Sequence, residues 1–102
     1  MSDLEFLDSL QAVLQERLAG GSAGSYTARL AAQGIAKVAQ KVGEEGVELA
    51  LAAVTEADER VKEEAADLIF HLLLLLAVRG IPLREVVGTL AERHRLKTAA
   101  GD

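Results

Sequence analysis

The stretch that decides the fold is residues 35–54, which read IAKVAQKVGEEGVELALAAV. Apolar residues recur in it every three or four positions, as they do on one face of an α-helix. The predicted core-facing residues are Ile35, Val38, Val42, Leu49 and Ala53. Glu45 falls three residues after Val42 and four before Leu49, so it lies inside this apolar stripe. A carboxylate there is partly desolvated, which is costly unless a cation balances its charge.

Helical patterns also occupy the sequence on both sides of this stretch. The predicted elements are helix one from Asp3 to Leu18, helix two from a Ser25 cap to Leu30, helix three from Ile35 to about Val54, helix four from a cap at Thr55 or Asp58 to Arg79, and helix five from Pro82 to about Arg95. The glycine-rich segment Gly20–Gly24 ends helix one and begins a loop. Gly34 and Gly80 suit the left-handed positions that end helices two and four.

Composition agrees with an all-α fold. Half of the 102 residues are apolar, and only three are aromatic. The remaining apolar residues are mostly Leu, Ala and Val, which fill the seams between helices. We therefore predict a single domain over residues 1–102, a bundle-like fold of four to five helices, with a flexible tail at about 97–102.

Helix four changes character along its length. Charged residues dominate its first half, whereas from Leu72 onward it is apolar on all sides. A helix that is apolar all round must be covered all round, which a single domain of this size can hardly do. The sequence therefore predicts a two-fold homodimer that packs through Leu72–Val78.

Charge and hydropathy exclude several classes of protein. The formal net charge of -5 argues against binding to nucleic acid, which needs basic patches. The longest apolar run, Ile69–Val78 broken by His71, has about half of the roughly 20 residues that span a bilayer. The acidic amino terminus does not resemble an export signal, and no cysteine is present. We expect a cytoplasmic protein with no membrane or nucleic-acid partner.

Helix four carries acids that complement those of helix three. Glu64 and Asp67 are three residues apart, as are Glu45 and Glu48, so each pair lies on one helix face. An antiparallel helix pair can bring the four carboxylates together around a divalent cation. Ligation by carboxylates without sulfur selects a hard ion, Mg²⁺ or else Mn²⁺. The alternative is a solvated acidic face on each helix. A ferritin-like di-iron site needs Glu-x-x-His pairs on two helices, and the sequence has none.

The acidic pattern resembles a known superfamily. Glu44-Glu45-x-x-Glu48 followed by Glu64-x-x-Asp67 is similar to the signature of the all-α nucleoside triphosphate pyrophosphohydrolases. Within it, the blocks Ser25-Tyr26-Thr27, Lys41-Val42-Gly43-Glu44-Glu45 and Asp67-Leu68 with His71-Leu72 resemble the phosphoribosyl-ATP pyrophosphohydrolases. The resemblance covers about Leu4 to His94. Phe70 departs from it, since tyrosine is usual there, as does Gly46, where a helix-favouring residue is common.

The resemblance implies a reaction and a set of site residues. The reaction is Mg²⁺-dependent hydrolysis of the α–β phosphoanhydride of phosphoribosyl-ATP to phosphoribosyl-AMP and pyrophosphate, the second step of histidine biosynthesis. The implied catalytic residues are Glu44, Glu45, Glu48, Glu64 and Asp67, of which the last four bind metal and Glu44 is a further ligand or orients water. The implied substrate-binding residues are Ser25, Tyr26, Thr27, Lys37 and Lys41.

Several of these residues have an ordinary structural alternative. Lys41 either pairs with the departing pyrophosphate or forms an i,i+4 salt bridge with Glu45. Ser25 can be a simple helix cap, with Tyr26 packed as a lid on the core. His71 is expected to be a hydrogen-bonded core histidine and is not placed in the catalytic set. Two other functions stay open: a house-cleaning pyrophosphohydrolase of the same superfamily, and a non-catalytic helical dimerisation module.

Overall fold

The computed structural model describes residues 2–21, 25–99 and 101, and over these ranges the chain forms helices and no strand. The helices are α1 (Glu5–Glu16), α2 (Tyr26–Ala32), α3 (Ile35–Thr55), α4 (Asp58–Arg79) and α5 (Leu83–Ala99). A π-type turn at Arg17–Gly21 follows α1 and is kinked at Gly20, where φ is 98°. The prediction of an all-α fold is confirmed.

Two helix boundaries follow directly from residue type. Ser25 is the N-cap of α2, and its hydroxyl accepts a hydrogen bond from the backbone N–H of Ala28 at 3.1 Å. Gly80 ends α4 in the left-handed conformation, with φ 72° and ψ 26°. Both features are as predicted. Gly34 also has a positive φ, of 100°, but its ψ of 159° is extended, so it is not the left-handed helical residue predicted there.

The start of α4 differs from the prediction. Its N-cap is Ala57, which makes no side-chain cap bond, so a cap at Thr55 or Asp58 is wrong. Thr55 still belongs to α3, where its hydroxyl donates to the carbonyl of Leu51 at 2.9 Å. Asp58 is already in the first turn of α4, where its charge favours the helix dipole.

The two longest helices, α3 and α4, form the pair that the sequence predicts. Only Glu56 and Ala57 separate them, so the chain reverses and the helices lie antiparallel along each other. The core beside them consists of Leu14, Leu30, Val38, Leu73 and Leu74. Along α3 the buried face passes through Ala52 near the end of the helix, and the predicted core residues Ile35 and Ala53 are exposed.

Helix α1 is fixed against the end of α4 by side-chain amides. Gln11 is buried, donates from its amide nitrogen to the carbonyl of Ile81 at 3.1 Å, and accepts from the N–H of Leu83 at 2.8 Å. Gln15 donates to the carbonyl of Ala77 at 3.2 Å. These bonds satisfy backbone groups of the turn between α4 and α5 and hold α1 over the apolar half of α4.

Other helices of the same chain cover the segment of α4 through which a dimer was predicted. No residue of Leu72–Val78 is exposed in the single chain, because Leu73, Leu74 and Ala77 are buried and the other four are half-buried. Packing of α1 and α2 provides much of this cover. The premise that only a second subunit can cover this segment is therefore wrong.

Helix α5 leaves a different surface open. It extends to Ala99, four residues past the predicted end at Arg95, so it includes the first part of the predicted flexible tail. All side chains from Val87 to Thr98 are exposed. Ala100 and Asp102 of the predicted tail lie outside the described residues.

Over the described ranges, no single helix is long and apolar enough to cross a membrane. Helices α4 and α5 together meet the length and composition, but they are bent by 106° at the break between them.

Candidate metal centre

Three acids come together where α3 and α4 run side by side. Ligand oxygens of Glu45, Glu48 and Glu64 all lie within 4.8 Å of one another. Glu45 and Glu48 are one turn apart on α3, and Glu64 faces them from α4 because the helices are antiparallel. Glu45 is 6% exposed and Glu64 3%, whereas Glu48 is exposed. Two carboxylates are thus inside the protein and one is at its surface, which leaves the cluster open on one side.

The buried carboxylates are only partly satisfied by protein groups. One oxygen of each, Oε2 of Glu45 and Oε2 of Glu64, has no hydrogen-bond partner among the described residues. An unpaired buried acceptor is destabilising, and a charged one more so. A cation between the two helices would satisfy both oxygens, so this buried acidic cluster has the donor set of a metal site.

The surroundings of Glu64 alter its proton affinity. Burial raises its pKa above the ordinary value of 4.5, and the neighbouring carboxyl of Glu48, which can share the proton of Glu64, raises it further. The negative charges of Glu48 and Asp67 act in the same direction, whereas the guanidinium of Arg60 lowers it. Without metal, Glu64 therefore holds its proton more tightly than an isolated glutamate does. A cation that binds there competes with that proton.

Two basic side chains partly compensate the cluster from its rim. Nζ of Lys41 lies 3.7 Å from Oε1 of Glu45 and 3.9 Å from Oε1 of Glu44. The i,i+4 salt bridge that was one of two alternatives for Lys41 is therefore present, and it does not exclude the other. Arg60 pairs with Glu64 one turn later on α4. Arg60 was not among the predicted site residues, although its i,i+4 spacing from Glu64 could have identified it.

The remaining predicted acids lie around the cluster. Asp67 is exposed and close enough to raise the pKa of Glu64, but it is not one of the three residues whose oxygens converge. Glu44 is exposed and accepts a hydrogen bond from the side-chain amide of Gln40 at 3.1 Å. Both are exposed, so neither belongs to the buried part of the cluster.

His71 connects the acidic cluster to the start of α2. It is buried, and its Nδ1 lies 2.9 Å from the carbonyl oxygen of Asp67 and 3.7 Å from Oε1 of Glu45. Its Nε2 lies 2.8 Å from the hydroxyl of Tyr26. The rings of Phe70 and Tyr26 both contact it edge-on. The expectation of a hydrogen-bonded core histidine is confirmed, and its contacts with Tyr26 and Glu45 are additional.

The predicted substrate-binding residues at the start of α2 have different environments. Tyr26 is 44% exposed, whereas Thr27 is 1% exposed and its hydroxyl has no partner among the described residues. Ser25 is half-buried and caps the helix. Ser22, Ala23 and Gly24 of the predicted glycine-rich loop lie outside the described residues. Lys37 is half-buried on α3, one turn before Lys41.

The sequence matches one family of known proteins. The sequence model of the family described as phosphoribosyl-ATP pyrophosphohydrolase matches residues 7–94. A phosphoribosyl-ATP pyrophosphatase of Pyrobaculum arsenaticum is 48% identical over 89 residues, which are 87% of this chain and 95% of the relative. The phosphoribosyl-ATP pyrophosphatase of Novosphingobium aromaticivorans is 48% identical over 90 residues, or 88% of this chain and 84% of the relative.

Longer relatives also match. The histidine biosynthesis bifunctional protein HisIE of Xanthomonas campestris pv. campestris is 50% identical over 91 residues, which are 89% of this chain and 44% of that protein. The chain thus spans about half the length of these bifunctional relatives.

Proposed function

Because the chain belongs to the phosphoribosyl-ATP pyrophosphohydrolase family, we propose that it hydrolyses phosphoribosyl-ATP to phosphoribosyl-AMP and pyrophosphate, as in histidine biosynthesis. The observation that carries this proposal is the convergence of Glu45, Glu48 and Glu64, two of them buried with an unsatisfied oxygen. A helical module that only dimerises has no use for such a cluster, since mutually repelling buried acids destabilise a fold.

The cation proposed for the cluster is Mg²⁺, with Mn²⁺ as a substitute. The donors are all carboxylate oxygens, which these hard ions prefer. Glu45, Glu48 and Glu64 would hold the ion, and Asp67 would complete the set from the open side. When bound, the ion neutralises phosphate oxygens and lowers the pKa of a coordinated water.

Protein groups at the rim of the cluster have separate roles. Glu44 is exposed beside the cluster and orients the attacking water or adds a ligand. Lys41 pairs with Glu45 in the absence of metal. With a cation bound at Glu45, the ammonium group of Lys41 would be available to the departing pyrophosphate, and Lys37 lies one turn earlier on the same helix.

Residues at the start of α2 are proposed to contact the nucleoside part of the substrate. The acids and their cation would hold the phosphates, so the sugar and base would extend away from the acids. Tyr26 is exposed and is joined to the cluster through His71. Ser25 lies beside it at the helix start. Thr27 is buried and would act on substrate only through its support of this segment.

A homodimer is proposed through a surface different from the one that the sequence suggested. Val47, Leu51 and Val54 follow one another at one-turn spacing on α3 and are 61%, 62% and 83% exposed. Helix α5 carries a separate exposed row, in which Val87 and Leu90 are 53% and 60% exposed. Apolar rows of this kind on a small chain mark an interaction surface, and a second copy is its simplest occupant. We propose that this dimer of single-domain chains acts in the cytoplasm.

The experiment that tests the function compares substrates. We expect kcat/KM for phosphoribosyl-ATP with Mg²⁺ to exceed that for ATP or dUTP by orders of magnitude, because a site that hydrogen-bonds a substrate group rejects analogues that lack it. Equal kcat/KM values for these three compounds would identify a house-cleaning pyrophosphohydrolase instead. Absence of turnover on all three would leave only a non-catalytic role.

A further inference from the structure

Tyr26, His71 and the backbone of Asp67 form a chain of two hydrogen bonds. The phenol oxygen of Tyr26 is 2.8 Å from Nε2 of His71, and Nδ1 of the same ring is 2.9 Å from the carbonyl oxygen of Asp67. Tyr26 and His71 are 45 residues apart in sequence, so this contact exists only in the folded chain. It places the hydroxyl of Tyr26, a residue that is 44% exposed, one imidazole ring away from the buried acid Glu45.

The partners determine the direction of each bond when the imidazole ring is neutral. A carbonyl oxygen only accepts, so Nδ1 of His71 must donate to Asp67. With one proton on the ring, Nε2 is then an acceptor, and the hydroxyl of Tyr26 donates to it. The single hydroxyl proton of Tyr26 is thereby engaged inside the protein. Toward the substrate, the phenol oxygen can offer only its remaining lone pair.

An oxygen that can only accept a hydrogen bond binds ligand groups that donate one. Ionised phosphate oxygens are themselves acceptors, so they gain nothing from this group. A ribose hydroxyl is a donor, and the ribose that carries the triphosphate is the first part of the substrate beyond the α-phosphate. We propose that His71 positions Tyr26 as a hydrogen-bond acceptor for the 2′- or 3′-hydroxyl of that ribose. Tyr26 and His71 together would then recognise the sugar and not the phosphates.

This inference rests on the proposed function, and its test uses three substrates. These are phosphoribosyl-ATP and its counterparts that lack the 2′- or the 3′-hydroxyl on the ribose that carries the triphosphate. We expect the wild type to lose about tenfold in kcat/KM on one of the two deoxy compounds, as for the loss of one neutral hydrogen bond. The position that matters identifies which hydroxyl donates.

Variants separate recognition from packing. Tyr26→Phe should lose about tenfold on phosphoribosyl-ATP and show no further loss on the sensitive deoxy compound, because the acceptor is already absent. His71→Gln can donate to Asp67 and accept from Tyr26, so it should keep most of the discrimination, whereas His71→Leu should lose it. Calorimetric titration with phosphoribosyl-AMP and its deoxy counterparts gives the same comparison for binding alone.

Each outcome decides the inference. The inference would be overturned if Tyr26→Phe discriminated between the parent and the deoxy compounds as the wild type does, or if the wild type had equal kcat/KM values on all three compounds. Either result would leave the proposed function intact. Wild-type protein that hydrolyses none of the three would overturn the proposed function and this inference together. If His71→Leu fails to fold, the comparison of wild type with Tyr26→Phe still decides.

Discussion

Replacing Glu48 by Gln should change stability in opposite directions with and without metal. Glu48 is exposed, and its oxygen lies within 4.8 Å of those of Glu45 and Glu64. Two unit charges at that separation repel by about 0.9 kcal/mol in water and by about 3.5 kcal/mol at an effective dielectric constant of 20. The lower end applies, because Glu48 is solvated and Glu64 holds its proton more tightly than usual. We expect Glu48→Gln to stabilise the metal-free protein by about 1 kcal/mol, or roughly 4 °C in Tm.

Added Mg²⁺ should reverse this order. Ligand binding to the folded state alone stabilises it by about 2.7 kcal/mol when the free ligand is at 100 times its Kd. The wild type should gain this stabilisation, and Glu48→Gln should gain much less because one of the ligands is lost. Its kcat/KM should fall by at least about 100-fold, since even residues behind metal ligands cost 10- to 100-fold.

Thermal unfolding in EDTA and in saturating Mg²⁺ measures both effects. Glu63→Gln is the matched control: Glu63 precedes Glu64 on α4, its side chain is 65% exposed, and it is outside the cluster. We expect this control to respond to Mg²⁺ as the wild type does. A Glu48→Gln protein that is less stable in EDTA, or that gains as much from Mg²⁺ as the wild type, would refute the repulsion and ligand argument.

Three further outcomes are expected. Without metal, Glu64→Gln should become more stable relative to the wild type as pH rises from about 4.5 through the raised pKa of Glu64. Over this range the folded wild type loses a proton that it holds more tightly than the unfolded chain does, so its free energy of unfolding falls. Urea denaturation across pH 4 to 8 tests this, and a constant difference in stability between the two proteins would contradict it. Ser25→Ala should lower the free energy of unfolding by about 1 kcal/mol, because the hydrogen bond to the N–H of Ala28 is lost. An unchanged urea midpoint would show that this cap does not stabilise the protein. Leu51→Glu should produce monomers in sedimentation experiments, because it places a charge in the exposed apolar row of α3. A wild-type chain that is monomeric at micromolar concentration would refute the proposed dimer.

Sequence periodicity identified the features that depend on local geometry. Glu45 is buried because the 3.6-residue repeat of Val42 and Leu49 forces it toward α4. Glu64 was identified because it lies three residues before Asp67, as Glu45 lies three residues before Glu48, so that an antiparallel helix pair can bring the acids together. Ser25 and Gly80 marked helix ends because hydroxyl capping and a left-handed backbone are strong residue-type preferences.

Features that depend on long-range packing were not predictable in this way. The bond between Tyr26 and His71 requires α2 to pack against the middle of α4, which no local pattern encodes. The cover over Leu72–Val78 depends on how α1 is held by Gln11, so the apolar surface left for a partner is on α3 and α5 instead. An apolar run in sequence thus indicates burial but does not say which element provides the cover.

The most direct test of the account is the product of the reaction and its need for metal. Phosphorus NMR of phosphoribosyl-ATP incubated with the wild type and Mg²⁺ should show pyrophosphate and phosphoribosyl-AMP, with no turnover in EDTA and none for Glu45→Gln under the same conditions. Release of orthophosphate, or pyrophosphate formation that proceeds equally in EDTA or in Glu45→Gln, would contradict a metal-dependent pyrophosphohydrolase site at Glu45, Glu48 and Glu64.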